Sequence, residues 1–267
     1  MSQVVQALPQ GHYRLRHVVK AEVVKILTLP STAITLGVTV AAGLLVTVLV
    51  THAAVANGFG FDSTQEALTG MIVAGLTLGV FGTLLITAEY SSGTVRATLA
   101  ATPRRPTVLA AKMLVTAVTT VVFSEILSFV SFFLGQAVLS GRGTPTATLG
   151  SPGALRAVLM TGVFIALLAL LSFGFGLICR STAAAIASFA GVVFVLPLVM
   201  HTISEEAVRY LPTNILTNSV MSTVNPGGPG GPGGIGPLSP GIGLLLMAVY
   251  AAITLGVGAV LFMKRDA

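Results

Sequence analysis

The sequence predicts an all-α, polytopic integral membrane protein with six transmembrane helices, an amphipathic N-terminal helix at the membrane interface, and both termini in the cytoplasm. Composition is the first support: 54% of the 267 residues are hydrophobic and 8% are charged, whereas soluble domains carry roughly 25% charged residues. The mean hydropathy of +0.95 agrees. The second support is that the apolar residues form runs of about 20, the length a helix needs to cross a bilayer core.

Residues 1–30 form the first predicted unit, a cytoplasmic amphipathic helix. The segment HYRLRHVVKAEVVKILT, residues 12–28, places Arg16 and Lys20 on a face different from the apolar one. The apolar residues near helical spacing are Leu15, Val18, Val19, Val23, Ile26 and Leu27. This pattern is typical of a helix lying in the interface with its cations toward lipid head groups, and Pro30 would end it. A solvated helix preceding the membrane is the alternative.

Residues 31–267 form the predicted transmembrane domain. Its six spans cover approximately residues 31–51, 68–88, 113–139, 157–179, 182–202 and 242–263. Gly75 and Gly79 in the second span, and Ala183, Ala187 and Gly191 in the fifth, have the spacing that lets helices approach closely in lipid. Packing within one subunit and packing between two subunits both account for that spacing.

The cationic residues set the expected orientation, because loops rich in Lys and Arg stay on the cytoplasmic side. With the N-terminus inside, the outer loops hold only Arg142, Arg156 and Arg209. The inner segments then hold Arg14, Arg16, Lys20, Lys25, Arg96, Arg104, Arg105, Lys112, Arg180, Lys264 and Arg265.

The outer loop 203–241 divides into two parts of different character. Its first part has apolar residues interrupted by Pro212, so two short helices dipping toward the bilayer are expected. Its second part, NPGGPGGPGGIGPLSPG, offers almost no side chain to bury and is expected to be a flexible linker.

Several kinds of chemistry are excluded by missing motifs. A Walker A loop needs Gly before its Lys, and Lys20, Lys25, Lys112 and Lys264 all follow another residue. No H-E-x-x-H or G-x-S-x-G motif occurs, and the single cysteine allows no disulfide within the chain. We therefore expect no catalytic residue, no metal site and no bound cofactor. The net charge of +6 is attributed to membrane lipids rather than to nucleic acid.

Glu125 is the one formally charged residue inside a predicted span. A carboxylate at that depth is costly and normally faces the bundle interior or a wet cavity. Two roles stay open: structural hydrogen bonding with Ser124 and Ser128, or lining a substrate path.

The segment 89–112, EYSSGTVRATLAATPRRPTVLAAK, concentrates charge between the second and third spans. Gly93 is the expected start of a short helix over residues 94–101, and Pro103 and Pro106 flank Arg104 and Arg105. An anchor that only fixes topology would account for the arginines. It would not account for Gly93, Thr94 and Leu99.

The order of residues in this segment resembles the permease subunit of ABC-2 type ATP-binding-cassette transporters. In that family a glutamate closes the second span, a G-T-x-R-x-x-L helix follows, and a P-x-R-like turn leads to a lysine that opens the third span. The matching residues here are Glu89, Gly93, Thr94, Arg96, Leu99, Pro103, Arg104, Arg105 and Lys112. The close match covers about 24 residues, and the six spans and long outer loop extend it across most of the chain.

The resemblance implies that the segment is a coupling helix docking on a separate cytoplasmic ATPase subunit. Gly93, Thr94, Arg96 and Leu99 would form the docking face, while Glu89 and Arg104 would hold the loop. Two permeases, identical or homologous, would pair above two ATPases that use ATP and Mg, in a bacterial plasma membrane. The segment from Glu205 to Val224 would correspond to the family's re-entrant helices, although the Gly-Pro tract after it departs from the family pattern.

The expected activity is export of a hydrophobic or amphipathic substrate such as a drug, natural product, lipid or peptide. Two alternatives stay open at the level of sequence. One is a polytopic scaffold or sensor-regulator without transport activity, and the other is a proton-coupled carrier that uses Glu125.

Overall fold

The structure, a computed structural model, describes residues 15–57, 62–95, 105–221 and 238–264. Within these ranges the chain is helical and contains no β-strand. The helices are α1 Leu15–Thr28, α2 Pro30–Asn57, α3 Ser63–Leu68, α4 Met71–Ser91, α5 Arg105–Ser140, α6 Ala154–Cys179, α7 Thr182–Ala190, α8 Leu196–Met200, α9 Glu205–Val208, α10 Pro212–Val220 and α11 Pro240–Lys264.

Six stretches of the described residues are long and apolar enough to cross a membrane. They are Pro30–Val55, Ser63–Ser91, Arg105–Ser140, Ala154–Cys179, Thr182–Met200 and Pro240–Lys264. The all-helical class and the six candidate spans are therefore confirmed.

The helices extend beyond the apolar runs that predicted them. α5 begins at Arg105 rather than near residue 113, and Pro106 lies in its first turn, where a helix needs no backbone N–H from it. The second candidate span includes α3, which begins after Asp62, and the Asp62 carboxylate accepts hydrogen bonds from the backbone N–H groups of Thr64 and Gln65. The hydropathy pattern misses these helix ends because the first turn of each helix is polar, although its backbone is helical.

α6 lies at the centre of the bundle. In its most apolar window 67% of the residues are buried, compared with 17% in α2 and 17% in α11. α4 and α11 make the most extensive contacts with α6. Glycine permits one of these approaches, since a Cβ atom on Gly82 of α4 would collide with the carbonyl oxygen of Ala169 in α6.

The two sets of small residues have different surroundings. Gly75 faces Leu168 of α6, and Gly79 lies under the ring of Phe189 in α7, so both pack within this chain. Ala183 and Ala187 are exposed, and a Cβ atom on Gly191 would meet nothing within 4 Å. The fifth candidate span therefore presents an open small-residue face.

The fifth candidate span is not a regular α-helix. A π-helical turn, Gly191–Val195, joins α7 to α8, and α8 contains Pro197. Proline supplies no backbone N–H, and a wide turn before it accommodates the lost i to i−4 hydrogen bond. After this span the short helices α9 and α10 follow. The predicted linker covers residues 225–241, of which 225–237 lie outside the described residues, whereas Pro240 and Gly241 form the start of α11 instead of a linker.

Gly82→Ala is expected to lower the thermal midpoint of the detergent-solubilised protein, because the added methyl group meets backbone of the buried helix α6 rather than a flexible side chain. Overpacking of this kind costs about 1–3 kcal/mol. Gly37→Ala in α2 is the matched control, since a Cβ atom there meets nothing within 4 Å. Equal midpoints for the two variants would show that α4 and α6 do not approach this closely.

Candidate functional site

Four charged side chains from three helices meet at one end of the bundle. They are Glu22 and Lys25 of α1, Glu89 near the end of α4, and Lys112 in the third turn of α5. We refer to these four residues as the charge cluster. It joins the N-terminal helix to both helices that flank the segment 89–112.

The geometry of the charge cluster links each cation to both anions. The ammonium group of Lys112 donates to Oε2 of Glu22 and to Oε1 of Glu89, each at 2.7 Å. The ammonium group of Lys25 donates to Oε1 of Glu22 and to Oε1 of Glu89, each at 2.9 Å. Two positive and two negative charges are thereby neutralised as one network, and no pair within it is isolated.

Apolar packing explains why these charges meet. Val18 of α1 packs against Val108 and Ala111 of α5 in a small separate core. Glu22 lies one helical turn beyond Val18 on the same side of α1, so the packing carries its carboxylate to α5. Lys112 follows Ala111 directly and is itself buried.

Burial differs sharply among the four side chains. The exposed fraction is 5% for Lys112, 8% for Glu22 and 14% for Glu89, but 39% for Lys25. Buried charges are costly unless they are paired, and here each charge is paired with both charges of opposite sign. Lys112 is therefore the cation on which the buried carboxylates depend.

Lys25 lies outside the candidate spans. Its partial burial alone would lower its pKa, but hydrogen bonds and charge from Glu22 and Glu89 outweigh that effect and raise the pKa of Lys25 above its ordinary value. Lys25 consequently stays protonated at neutral pH. Its stabilising contribution is fully present below the ordinary lysine pKa and is lost only as the pH rises through the raised value.

A small, partly open cavity adjoins the charge cluster. It is lined by Ile86, Glu89, Val95, Val108, Leu109, Lys112 and Phe262. Val95, the last described residue before the gap at 96–104, is buried there. The start of the segment after α4 is thus held next to α5 and α11.

Of the remaining sequence-predicted residues of the segment, the structure describes Gly93, Thr94 and Arg105. Gly93 has a positive φ of 70°, in the left-handed region, and Thr94 is exposed, with its hydroxyl 2.9 Å from that of Ser92. Arg105 begins α5 and donates to the carbonyl oxygen of Met263 at 3.4 Å. Arg96, Leu99, Pro103 and Arg104 lie outside the described residues.

Glu125 lies in the middle of α5, far from the charge cluster. Ser124 and Ser128 donate to the carbonyl oxygens of Gly162 and Val158 in α6, each at 2.8 Å. Neither serine hydrogen-bonds with Glu125, and the Oε2 atom of Glu125 is buried with no hydrogen-bond partner in the part of the chain that the structure describes. The serines connect α5 to α6, whereas the carboxyl group of Glu125 accepts a hydrogen bond from the backbone of Val163 in α6 and keeps its Oε2 atom unpartnered among the described residues.

Sequence reasoning did not assign Glu22, Lys25 or Lys112 to a site. Lys112 stood in the motif without a role, and Glu22 and Lys25 belonged to a helix expected to face lipid. One signal was present in the sequence: Glu22 is the only acidic residue of α1, a segment otherwise apolar and cationic. An acid in such a helix is favoured by a cationic partner, and the structure supplies Lys25 and Lys112.

The helices and their six candidate spans define a multi-pass α-helical membrane protein. The chain belongs to the family described as "Protein of unknown function (DUF2705)", whose model matches residues 49–267. The matched part contains Glu89 and Lys112, whereas Glu22 and Lys25 precede it. No curated protein matches the chain. The family match therefore groups the chain with related proteins but assigns no activity to it.

Proposed function

We propose that this chain is the membrane-spanning subunit of an ABC-2 type transporter. Two copies, or one copy and a homologous permease, form a pathway that exports a hydrophobic or amphipathic substrate across a bacterial plasma membrane. A separate cytoplasmic ATPase, present twice, hydrolyses ATP with Mg and drives the movement. The segment 89–112 receives that movement.

The proposal rests on one observation: the two ends of the segment 89–112 are in direct contact. Glu89 and Lys112, the glutamate and lysine that bound the motif, are in direct contact at 2.7 Å. Glu22 of α1 bonds the same lysine at 2.7 Å. A force applied to the segment is therefore passed to α1, α4 and α5 together rather than absorbed by a loose loop.

Energy coupling requires a rigid connection of this kind between the segment and the helices. Coupling between two sites needs an element with discrete positions that both sites bias, and rigid-body shifts of helices are a common form. An ATPase that closes on nucleotide would push the segment, and the network of charges would turn that push into a movement of three helices.

The surface of α1 supports a cytoplasmic orientation of this end. Arg16 and Lys20 are exposed in its first half, and Val23, Val24 and Leu27 are exposed in its second half. Cations at head-group level with apolar side chains toward the hydrocarbon suit a helix that crosses the inner interface. The buried side of α1, with Val18 and Glu22, faces the protein.

The open face of the fifth candidate span supports pairing of two permeases. In its apolar window 22% of the residues are buried within this chain, and α2 and α11 are buried still less, so the small residues and not the low burial distinguish this face. Ala183, Ala187 and Gly191 on that face would let a second helix approach closely, which is the main way that helices gain contact in lipid.

Affinity purification of the tagged full-length chain from its native membranes in mild detergent tests the proposal. A Walker A ATPase is expected to co-purify in equal amount. Gly93→Val is expected to lose most of that ATPase, because a β-branched residue strongly disfavours the left-handed conformation at this position. Gly93→Asn is the matched control, since Asn tolerates this conformation and nothing lies within 4 Å of a Cβ atom there.

The outcomes separate two claims. Absence of any ATPase from the wild-type preparation would overturn the permease proposal in favour of a scaffold or regulator. Equal recovery of ATPase with the Val and Asn variants would leave the permease proposal standing and remove Gly93 from the docking surface.

A further inference from the structure

We propose that Glu125 forms a site within the membrane for the protonated amine of an amphipathic molecule, at the junction of α5 and α6. The inference rests on the proposed function, because it names a substrate class for the permease. Its structural basis is separate from the charge cluster, and so is its test.

The site lies on an exposed apolar strip. Val122 and Ile126 on α5 are 52% and 60% exposed, and Leu159 and Val163 on α6 are 43% and 36% exposed. Glu125 lies between these residues and the buried side of α5, where Ser124 and Ser128 contact α6. A molecule lying against this strip would meet the half-buried side chain of Glu125 with its polar end and the four apolar side chains with its body. Contact with the buried Oε2 atom requires the carboxyl group to turn toward the strip.

Gly162 makes room for the carboxyl group. A Cβ atom on Gly162 would lie 2.5, 2.6 and 2.7 Å from the carboxyl carbon and the two oxygens of Glu125. Any larger residue at this position of α6 would displace the side chain of Glu125. Gly162 therefore lets the carboxyl group of Glu125 lie directly against α6.

The chain supplies no balancing group to Oε2 of Glu125 in its described part. That atom is buried without a hydrogen-bond partner, and the neighbouring serine hydroxyls are committed to α6 carbonyls. Lys112 is about 20 Å away along α5, at roughly 1.5 Å per residue, and two carboxylates already hold it. Arg156, in the first turn of α6, donates to the carbonyl oxygen of Met221.

An ammonium group matches what this site lacks. It donates hydrogen bonds and brings the positive charge that a carboxylate needs at this depth, where unpaired charge is costly. A neutral hydroxyl supplies only the hydrogen bond, and a second carboxylate would be repelled. The four exposed apolar side chains favour an amine that carries an alkyl or aromatic body.

The absence of tryptophan from the sequence allows a direct test. Ile126→Trp places the single tryptophan of the variant beside Glu125, and the full-length variant is reconstituted in phosphatidylcholine nanodiscs. The probe is a long-chain alkylamine with bromine on its chain, which quenches tryptophan on contact, and the comparison is the brominated alcohol of the same length. Ile253→Trp on α11 is the control reporter, since Ile253 is similarly exposed, at 57%, on another helix.

The amine is expected to quench the Ile126→Trp reporter at about tenfold lower concentration than the alcohol, because charge-assisted hydrogen bonds are roughly twice as strong as neutral ones. The Ile253→Trp reporter is expected to respond equally to both. Adding Glu125→Gln, which keeps the shape of the side chain, is expected to abolish the preference at residue 126.

Equal quenching by amine and alcohol at residue 126 would overturn the site, and this arm needs no change at Glu125. Retention of the amine preference in the Glu125→Gln variant would also overturn it. Phosphatidylethanolamine added to the nanodiscs identifies the source of the amine that the site binds. If this lipid competes with the brominated alkylamine, the site accepts a lipid amine. If it does not compete, the site takes a non-lipid amine. Amine binding without any co-purified ATPase would leave this site standing while the permease proposal failed.

Discussion

Lys112→Met is expected to destabilise the folded protein by about 3–5 kcal/mol, the cost of removing one partner from a buried ion pair. Lys112 is 5% exposed and holds Glu22 and Glu89 at 2.7 Å each. Methionine fills a similar volume, so packing is largely kept while the charge is lost. Two carboxylates would then share only Lys25, and Oε2 of Glu22 would lose its cation.

Lys25→Met is the matched control for this change. Its side chain is 39% exposed, so water can replace its bonds to Glu22 and Glu89, and exposed pairs contribute about 0–1 kcal/mol. Thermal midpoints of the detergent-solubilised variants measure the difference. Equal losses for the two lysines would show that Lys112 is not buried as described.

The double variant Lys112→Met with Glu22→Gln tests whether the four charges act as a network. It leaves Glu89 paired with Lys25, so we expect it to be more stable than Lys112→Met alone. If the double variant lost as much stability as Lys112→Met and Glu22→Gln lose in sum, the four charges would not act as a network.

The number of spans could be predicted because the hydrocarbon core imposes a length and a composition that each span meets independently of the others. The helix ends could not. Arg105 and Pro106 are polar or helix-breaking by composition, yet they form the first turn of α5, where a proline is tolerated.

The charge cluster could be predicted only in part. Glu89 and Lys112 are 23 residues apart and bound a recognisable motif, whereas Glu22 is 90 residues from Lys112. Helical periodicity identifies the faces of α1 but not the helix against which each face packs. Val18 against Val108 decides that placement, and such a contact leaves no pattern in a single sequence.

The hydrogen-bond partners of Glu125 also could not be predicted from the sequence. Adjacency in sequence suggested that Ser124 and Ser128 share its hydrogen bonds. The two serines are four residues apart on one face of α5 and point to α6, while Glu125 lies at the edge of that face. Their hydroxyls donate to carbonyl oxygens in α6, so they supply no hydrogen bond to Oε2 of Glu125.

Arg96→Glu is expected to lower ATP-driven transport at least tenfold without altering the fold, if the chain functions as proposed. The residue lies outside the described ranges, and its role follows from the resemblance of the segment 89–112 to a coupling helix. Reversing a charge within an interface juxtaposes like charges, which costs several kcal/mol of binding. The ATPase would then bind the segment 89–112 more weakly, while the ion pair between Glu89 and Lys112 would remain intact.

Lys264→Glu is the control, because Lys264 is an exposed cation at the end of α11, on the same proposed side but outside the segment. Both variants are reconstituted in liposomes with the co-purified ATPase, and transport per ATP hydrolysed and the thermal midpoint are measured. We expect at least a tenfold loss of transport for Arg96→Glu, an unchanged thermal midpoint, and nearly normal transport for Lys264→Glu. Equal transport by both variants would remove Arg96 from the docking surface. A lowered midpoint for Arg96→Glu alone would instead give that residue a structural role beside the charge cluster.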